Sequence, residues 1–454
     1  IAEVAGLVEW PVPLVGTFEK EFLEVPQEVL ISTMRGDQKY IALLDSNGKL
    51  ANKFVVIANT ITEDGGKNVV AGNEKVLRAR LSDGEFYWNQ DRHTKLDQWA
   101  EKLRDVVFHA KVGMMHEKVA RIVQLAESLS AHVPGADAKT VRRAAGLAKA
   151  DLTTGMVGEF PDLQGIMGRY YALEQGESAT VADAIRDHYK PVGAADDVPT
   201  DPTAICVALA DKLDSITSLF AAGEKPTGSK DPLALRRAAL GVLRIILANK
   251  LRLDLGTICH PGPVSAASAA PGSSAKLREA HDEILAFFTD RLKVILKDEG
   301  IRHDILAASL TGSLDALLVQ TRALALQSLV TGPEGGPILA AYKRASNILA
   351  AEEKKDNTTY RFSDLNPALL TEAEERTLHA ALLNAQQTIQ PLIAQEKFAE
   401  AFQSIATLSA PLTAFFDKVL VNADDAALRK ARLSLLALIR ETMHSIADFS
   451  LIEA

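Results

Sequence analysis

The sequence predicts a mainly α-helical protein in several domains, opened by a small α/β or β-containing segment. Three observations carry that expectation. At 454 residues the chain exceeds a single compact core, so two to four domains are expected. Ala and Leu dominate while aromatics supply only 6% of residues, which favours helix. From about Asn73 onward, apolar residues recur at steps of three and four; before it they come in short β-branched runs.

Residues 1–72 read as the remainder of a mixed α/β domain. "EVLIST", "QKYIALL" and "KFVVIA" are strand-like, separated by turn signals at Arg35-Gly36-Asp37 and Asp45-Ser46-Asn47-Gly48. The Arg-Gly-Asp tripeptide is read as a hairpin turn. Residues 73–255 form a helical domain. Leu96, Trp99, Leu103, Val107 and Phe108 are expected as one buried helical stripe, with His109 and His116 seven residues apart on that helix. Helical patterns continue through "VRRAAGLAKADLTTGMV", "ATVADAIRDHY" and "PTAICVALADKLDSITSLF". Residues 256–340 are a linker and helical connector that includes "HPGPVSAASAAPGSSAK" (260–276), a linker by composition. Residues 341–454 form a final helical group, interrupted near "KKDNTTYRFSDLNPAL". No short-period repeat is visible.

Composition narrows the setting. Cys206 and Cys259 form no CxxC pair, which argues against a disulfide framework or structural zinc and fits a reducing cytosol. No apolar run is long enough to span a membrane, and no signal peptide is visible. Ile1 is not a start methionine, so a piece of a longer chain is expected. The net charge of −9 argues mildly against a coat of nucleic acid, yet a total hides local patches. Between Lys225 and Arg252 stand Lys225, Lys230, Arg236, Arg237, Arg244, Lys250 and Arg252, with Asp231 as the one acid.

That basic stretch, "GEKPTGSKDPLALRRAALGVLRIILANK", has a helix start at Asp231-Pro232. Leu235, Ala238, Ala239, Val242, Ile245 and Ile246 are its expected buried stripe. Arg237 and Arg244 share another face, flanked by Arg236. The preceding loop is expected to seat an oxyanion at the helix's positive end. It lacks the GxxxxGK[ST] order of a P-loop. The competing reading is a solvated basic face with ordinary ion pairs.

A second constellation is metal-like. His116, "LAKADL" (147–152) and "ALADKLDSI" (208–216) are similar in layout to the HD phosphohydrolase superfamily, where histidines and aspartates on separate helices hold metals that activate water. Asp211 fits the late aspartate. Where the His-Asp pair belongs stand Lys149 and Ala150, with Asp151 one step on. Lys149 is expected to pair with Asp151 or Asp211, giving a degenerate site without metal. An active metal-dependent phosphohydrolase is the alternative. His281-Asp282 and His303-Asp304 lack partners in the right order and read as chance adjacency. No GxSxG, HExxH or GxGxxG motif appears in context, and no adenylation site can be placed.

Several blocks together resemble the β subunit of bacterial glycyl-tRNA synthetase. They are "AKADLTTGMVGEFPDLQGIMGRYYA" (148–172), "DHYKP" (187–191), "ALADKLD" (208–214) and "PTGSKDPLALRRAALGVLRII" (226–246). The early "VEWPVPLVGTFEKEFLEVPQEVLISTMRGDQKYIAL" and the late "FFDKVLVNADDAALRKARLSLLALIR" are similar to that family too. The resemblance implies a division of labour. The α subunit holds the class II site and uses ATP and Mg; the β subunit binds tRNA(Gly) through a degenerate HD-like domain and a helical anticodon-binding domain. It also implies a cytoplasmic α2β2 heterotetramer, no membrane, and neither a catalytic residue nor a cofactor in this chain. Lys225, Lys230, Arg236, Arg237 and Arg244 are then expected to meet tRNA backbone, with Arg35, Gln38, Lys39 and Tyr40 as lesser candidates for its acceptor end. Arg429, Arg432 and Arg440 are expected at the anticodon loop. Asp424 or Asp425 caps their helix, Leu428, Leu435, Leu438 and Ile439 line its buried face, and Phe415 and Phe416 belong to the core.

Overall fold

Helical spacing of apolar residues decides most of the architecture, and it overrides local β-propensity at one early point. In the computed structural model, which describes residues 2–36, 38–228, 230–259 and 273–453, "EVLIST" is helical. It lies in α2 (Gln27–Gly36), after α1 (Ala2–Leu7) and β1 (Val12–Thr17). Its β-branched residues suggested a strand, but Val29, Leu30, Thr33 and Met34 are buried together at helical spacing. Arg35 and Gly36 end that helix; Asp37, the third residue of the expected hairpin turn, lies outside the described residues.

The strands β2 (Ile41–Leu44) and β3 (Leu50–Ala58) follow, and the sheet order is β1-β3-β2 with both pairings antiparallel. Phe54 of β3 is fully buried and stacks on Tyr40, ring centroids 4.7 Å apart. Gly16 opposes it on β1, and a Cβ there would fall 2.5 Å from the Phe54 ring. Only glycine fits.

Next come α3 (Lys67–Asp91), α4 (Leu96–Glu101), a 3-10 turn (Lys102–Asp105), then β4 (Val107–His109) paired with β5 (Gly113–Met114). The single stripe expected from Leu96 to Phe108 is therefore divided: Leu96, Trp99 and Leu103 are buried on helical turns, while Val107 and Phe108 are in a strand. His109 and His116 accordingly sit on different elements, since His116 begins α5 (Met115–Ser130).

Helix α6 (Ala138–Leu147) stops short of the continuous helix expected to Val157. A 3-10 turn (Ala150–Thr153) intervenes before α7 (Gly155–Glu159), capped by Thr154. Thr153 and Thr154 hydroxyls donate to the Ala150 and Asp151 carbonyls, which favours the tight turn over continued helix. Then follow α8 (Ile166–Glu174), α9 (Ala179–Asp187), α10 (Pro202–Ala221) and α11 (Leu235–Ala248). Helix α10 packs against α5, α6 and α9 and is buried on nearly every position, so it is the axis of this core.

The chain divides into two compact units, Ile1–Ile245 with Pro261–Leu277, and Ile246–His260 with Arg278–Ala454. Residues 1–72 thus pack with the helices after them, and residues 278–340 pack with those from 341. The expected linker falls mostly outside the described residues; from Ser273 the chain is helical.

The second unit contains α12 (Leu255–Ile258), α13 (Ser273–Asp298, from Arg278 on), α14 (His303–Ser309), α15 (Ala316–Thr331) and α16 (Gly335–Asp356). It ends with α17 (Ala373–Ala394), α18 (Phe398–Ala406), α19 (Ser409–Lys418) and α20 (Ala426–His444). Helix α20 is buried without a break from Ala431 to Ile439 and packs on α16 and α17. Phe415 and Phe416 are core residues, as expected. No helix among the described residues is long and apolar enough to cross a membrane.

Candidate functional site

Charged residues on an otherwise apolar α10 build the first site. Lys149, at the end of the turn after α6, donates to Asp211 Oδ2 at 2.8 Å. It chooses Asp211 over Asp151. Lys118 reaches in from α5, its Nζ 3.0 Å from Asp211 Oδ1, and donates to Asp214 Oδ2 at 3.0 Å and Ser215 Oγ at 2.7 Å. Arg121, one turn further on α5, donates to Asp214 Oδ1 at 2.6 Å. Asp151 points elsewhere, accepting from the Gly165 and Gly168 N–H groups at 2.5 and 3.0 Å. Lys212 donates to three consecutive carbonyls, those of His188, Tyr189 and Lys190. His116 forms no hydrogen bond or ion pair with Lys149, Asp151 or Asp211 among the described residues, so the structure does not join it to the set.

The electrostatics follow from burial against pairing. Burial works against the Asp211 carboxylate, but Lys118 and Lys149 outweigh it and hold its pKa well below the usual carboxylate range. Burial also opposes the Lys118 ammonium, yet Asp211 and Asp214 raise its pKa; for Lys149 burial prevails, helped by the nearby Lys118 charge, over the pull of Asp211 and leaves its pKa lowered. His188 is fully buried, which pushes its pKa well below normal, and its Nδ1 donates to the Ile185 carbonyl at 2.7 Å. Burial raises Asp151 to about 6 in spite of its two N–H donors.

That last shift has a pH signature. A carboxyl whose folded-state pKa lies above its unfolded value stabilises the fold below pH 4 and loses that contribution as pH rises through 6. A shift of this size corresponds to about 3 kcal/mol. Asp151→Asn is expected to shrink the fall in urea stability between pH 4 and 7 by that order; an unchanged pH profile would contradict the assignment.

A metal does not suit this arrangement. Among the described residues no group of three or more His, Cys, Asp or Glu is placed to hold one, and two ammonium groups take the carboxylate a metal would need. Sequence reasoning missed Lys118, Arg121, Lys212, Asp214 and His188. The available signal was the run of charges "DKLD" inside an apolar helix.

The basic stretch is only partly a free surface. Both Asp231 carboxylate oxygens cap α11, accepting from Leu235 and Arg236 N–H at 2.8 and 2.9 Å. The helix starts at Leu235 instead of Pro232 because Ala234 adopts φ 56°. This corrects the expected oxyanion seat: Asp231 already fills it. Leu235, Ala239, Val242, Ile245 and Ile246 are buried as expected, while Ala238 is half-buried. Arg244 clamps a loop by donating to the Gly193 and Asp196 carbonyls, and Arg236 donates to the Gly228 carbonyl. Arg237, Lys225 and Lys230 are exposed, and neither Arg237 nor Lys230 has a carboxylate partner among the described residues. Arg252, in the second unit, pairs with Asp315 and Glu396.

In the second unit the three expected anticodon arginines face inward. Arg432 is buried against the fully buried Glu375 of α17 and also donates to the Leu420 carbonyl at 2.6 Å. Arg429 pairs with Glu352 and Asp356, and Arg440 makes two bonds to Glu353 at 3.1 and 3.2 Å, all from α16. The expectation is corrected for Arg432, which burial removes from any RNA-facing surface; Arg429 and Arg440 are half-buried and already paired. Helical spacing placed these side chains on one helix but could not show what that helix faces. Asp425 caps it, accepting from Ala427 and Leu428 N–H.

Comparison with known proteins gives the family. A model described as "Glycyl-tRNA synthetase beta subunit" matches residues 1–311. The chain belongs to the glycyl-tRNA synthetase β-subunit family. A second model, "DALR anticodon binding domain", matches residues 338–454 of this family member, from within α16 to the end. Among curated relatives, the glycine–tRNA ligase β subunits of Rhodospirillum centenum, Paracoccus denitrificans and Dinoroseobacter shibae are 50%, 48% and 46% identical to it. Each comparison covers 100% of the chain but only 63%, 65% and 66% of the relative. The chain thus spans a little under two thirds of the length of the relatives it matches.

Proposed function

We propose that this chain is the tRNA-holding part of the β subunit of a two-subunit glycyl-tRNA synthetase. It positions tRNA(Gly) for ATP-dependent glycylation at a class II site carried by the α subunit. The observation that carries the reading is the exposed pair Lys230 and Arg237, cations without carboxylate partners among the described residues, on a chain that also matches an anticodon-binding family. Such cations release counterions when they meet phosphate, which gives affinity without reading sequence. ATP and Mg belong to the α subunit, in a cytoplasmic α2β2 assembly. The lysine-filled core of α5, α6 and α10 is a degenerate HD-like scaffold, and its paired ammonium groups count against an active phosphohydrolase.

The test is binding of a glycine tRNA transcript across a salt series. Lys230→Glu with Arg237→Glu is expected to weaken binding at 0.1 M salt by at least tenfold and to flatten the log–log salt slope by about 2. Affinity and slope equal to those of the parent chain would sink the assignment of these two residues. Arg244→Ala acts through its loop and is expected to leave the slope unchanged.

A further inference from the structure

The last turns of α3 and the turn after it carry a second group of side chains suited to RNA, and nothing above uses them. On one face of α3, Ser82, Glu85, Phe86, Asn89 and Gln90 line an open dish of about 570 Å³. Phe86 is 60% exposed, although the opposite face of the helix supplies Leu77, Leu81 and Trp88 to the core. Its ring meets Tyr87 edge-on, centroids 5.5 Å apart and planes at 69°.

Beyond the dish the chain turns and presents cations. Arg92 and Lys95 are exposed, as is Lys102, with the exposed His93 imidazole between the first two. None has a carboxylate partner among the described residues. The turn is held from several sides. Thr94 N–H donates to the Asp91 carbonyl, Gln175 Nε2 donates to the Thr94 carbonyl at 3.0 Å, and Leu96 N–H donates back to Gln175 Oε1 at 2.8 Å. Trp99 Nε1 donates to the Asp91 carbonyl, and Lys102 lies 3.8 Å from the centroid of that indole. The Arg92 guanidinium lies 5.7 Å from the centroid of Trp88. These contacts hold the turn and order the Arg92 and Lys102 side chains in advance, which lowers the entropic cost of gripping a ligand.

Several nearby acids are already engaged. Asp97 is paired with Arg143, Glu101 with Arg104, and the buried Asp91 accepts from Gly155 and Met156 N–H. Glu85 remains at the edge of the dish, with Asp83 and Asp105 exposed nearby in the sequence. The Glu85 carboxylate disfavours phosphate in the dish, and together with the two amides and the exposed ring it matches the hydrogen-bonding edges and face of a base.

We propose that this surface binds unpaired nucleotides of the tRNA, a base stacking on Phe86 in the dish and flanking phosphates lying against Arg92, His93, Lys95 and Lys102. Asn89, Gln90 and Glu85 meet the base edge. The inference rests on the tRNA reading above and adds a site in the first unit that takes single-stranded RNA, separate from the Lys230 and Arg237 pair.

The experiment uses the whole chain with two probes, a glycine tRNA transcript and a fully paired RNA duplex of equal length. Phe86→Ala is expected to weaken the transcript about tenfold and to leave the duplex unchanged, because stacking needs an unpaired base. Arg92→Glu with Lys95→Glu is expected to weaken both probes and to reduce the salt slope by about 2. All three positions are exposed, and circular dichroism of each variant checks folding. Unchanged transcript binding in both variants, while Lys230→Glu with Arg237→Glu still loses affinity, overturns this inference and leaves the tRNA reading standing. A parent chain that binds no transcript overturns both. Loss of α-subunit binding in Phe86→Ala, with transcript affinity intact, reassigns the dish to a protein contact and overturns its RNA role.

Discussion

Asp211→Asn is expected to destabilise the first unit by about 3–5 kcal/mol, the range for removing one partner of a buried ion pair. The substitution is nearly isosteric, so the effect is electrostatic. Lys118 and Lys149 are both buried and both lean on this carboxylate. Lys118 keeps Asp214, but Lys149 loses its one ion pair among the described residues and keeps the Tyr189 ring, whose centroid lies 3.8 Å from its Nζ, and the more distant Asp151 charge. An ammonium in that position must lose its proton or draw in water, and each costs free energy. Lys149→Met, which leaves Asp211 paired with Lys118, is expected to be distinctly milder. Chemical denaturation resolves this, provided that the two units are followed separately, since a single transition is not assured with two cores. A loss below about 1 kcal/mol for Asp211→Asn would mean that the cluster is more hydrated than its burial implies.

Arg432→Ala is the counterpart in the second unit, again expected to cost about 3–5 kcal/mol. Glu375 is fully buried, and its other oxygen accepts from the Glu372 N–H at the start of α17, so it cannot turn to solvent without uncapping that helix. The Leu420 carbonyl loses its donor as well. Arg432→Met with Glu375→Leu removes both charges and is expected to recover a large part of the loss, a coupling that a double-mutant cycle measures directly. If Arg432 instead met the anticodon loop, Arg432→Ala would lower tRNA affinity while leaving the melting behaviour unchanged.

What could be read from the chain separates by distance along it. The buried stripe from Leu235 to Ile246 and the Asp231 cap are local, and periodicity revealed both. The exact start of α11 was lost to one backbone dihedral at Ala234. "EVLIST" misled because its β-branched residues satisfy two periods at once, and packing chose the helical one. Lys149 and Asp211 were paired correctly as alternatives, yet Lys118 and Asp214 went unnoticed. Their partnership spans 96 residues, and no local pattern encodes it. Arg432 failed for the same reason: spacing puts it in phase with Arg429, but the burial of its helix depends on α17, 57 residues earlier. Arg92, His93 and Lys95 drew no reading from the sequence, because their lack of carboxylate partners among the described residues appears only once Asp97 and Glu101 are seen with partners of their own.

The three inward arginines of α20 also work as a key. Arg429 and Arg440 engage α16, and Arg432 engages α17. Sliding α20 by a single residue moves each side chain about 1.5 Å along the axis and about 100° around it, so all three arginines lose their partners together. Within residues 429–440 the length of the chain is therefore more tightly constrained than its composition. A pair such as Arg432 and Glu375 tolerates joint replacement, whereas one inserted or deleted residue would put the whole helix out of phase with both of its neighbours.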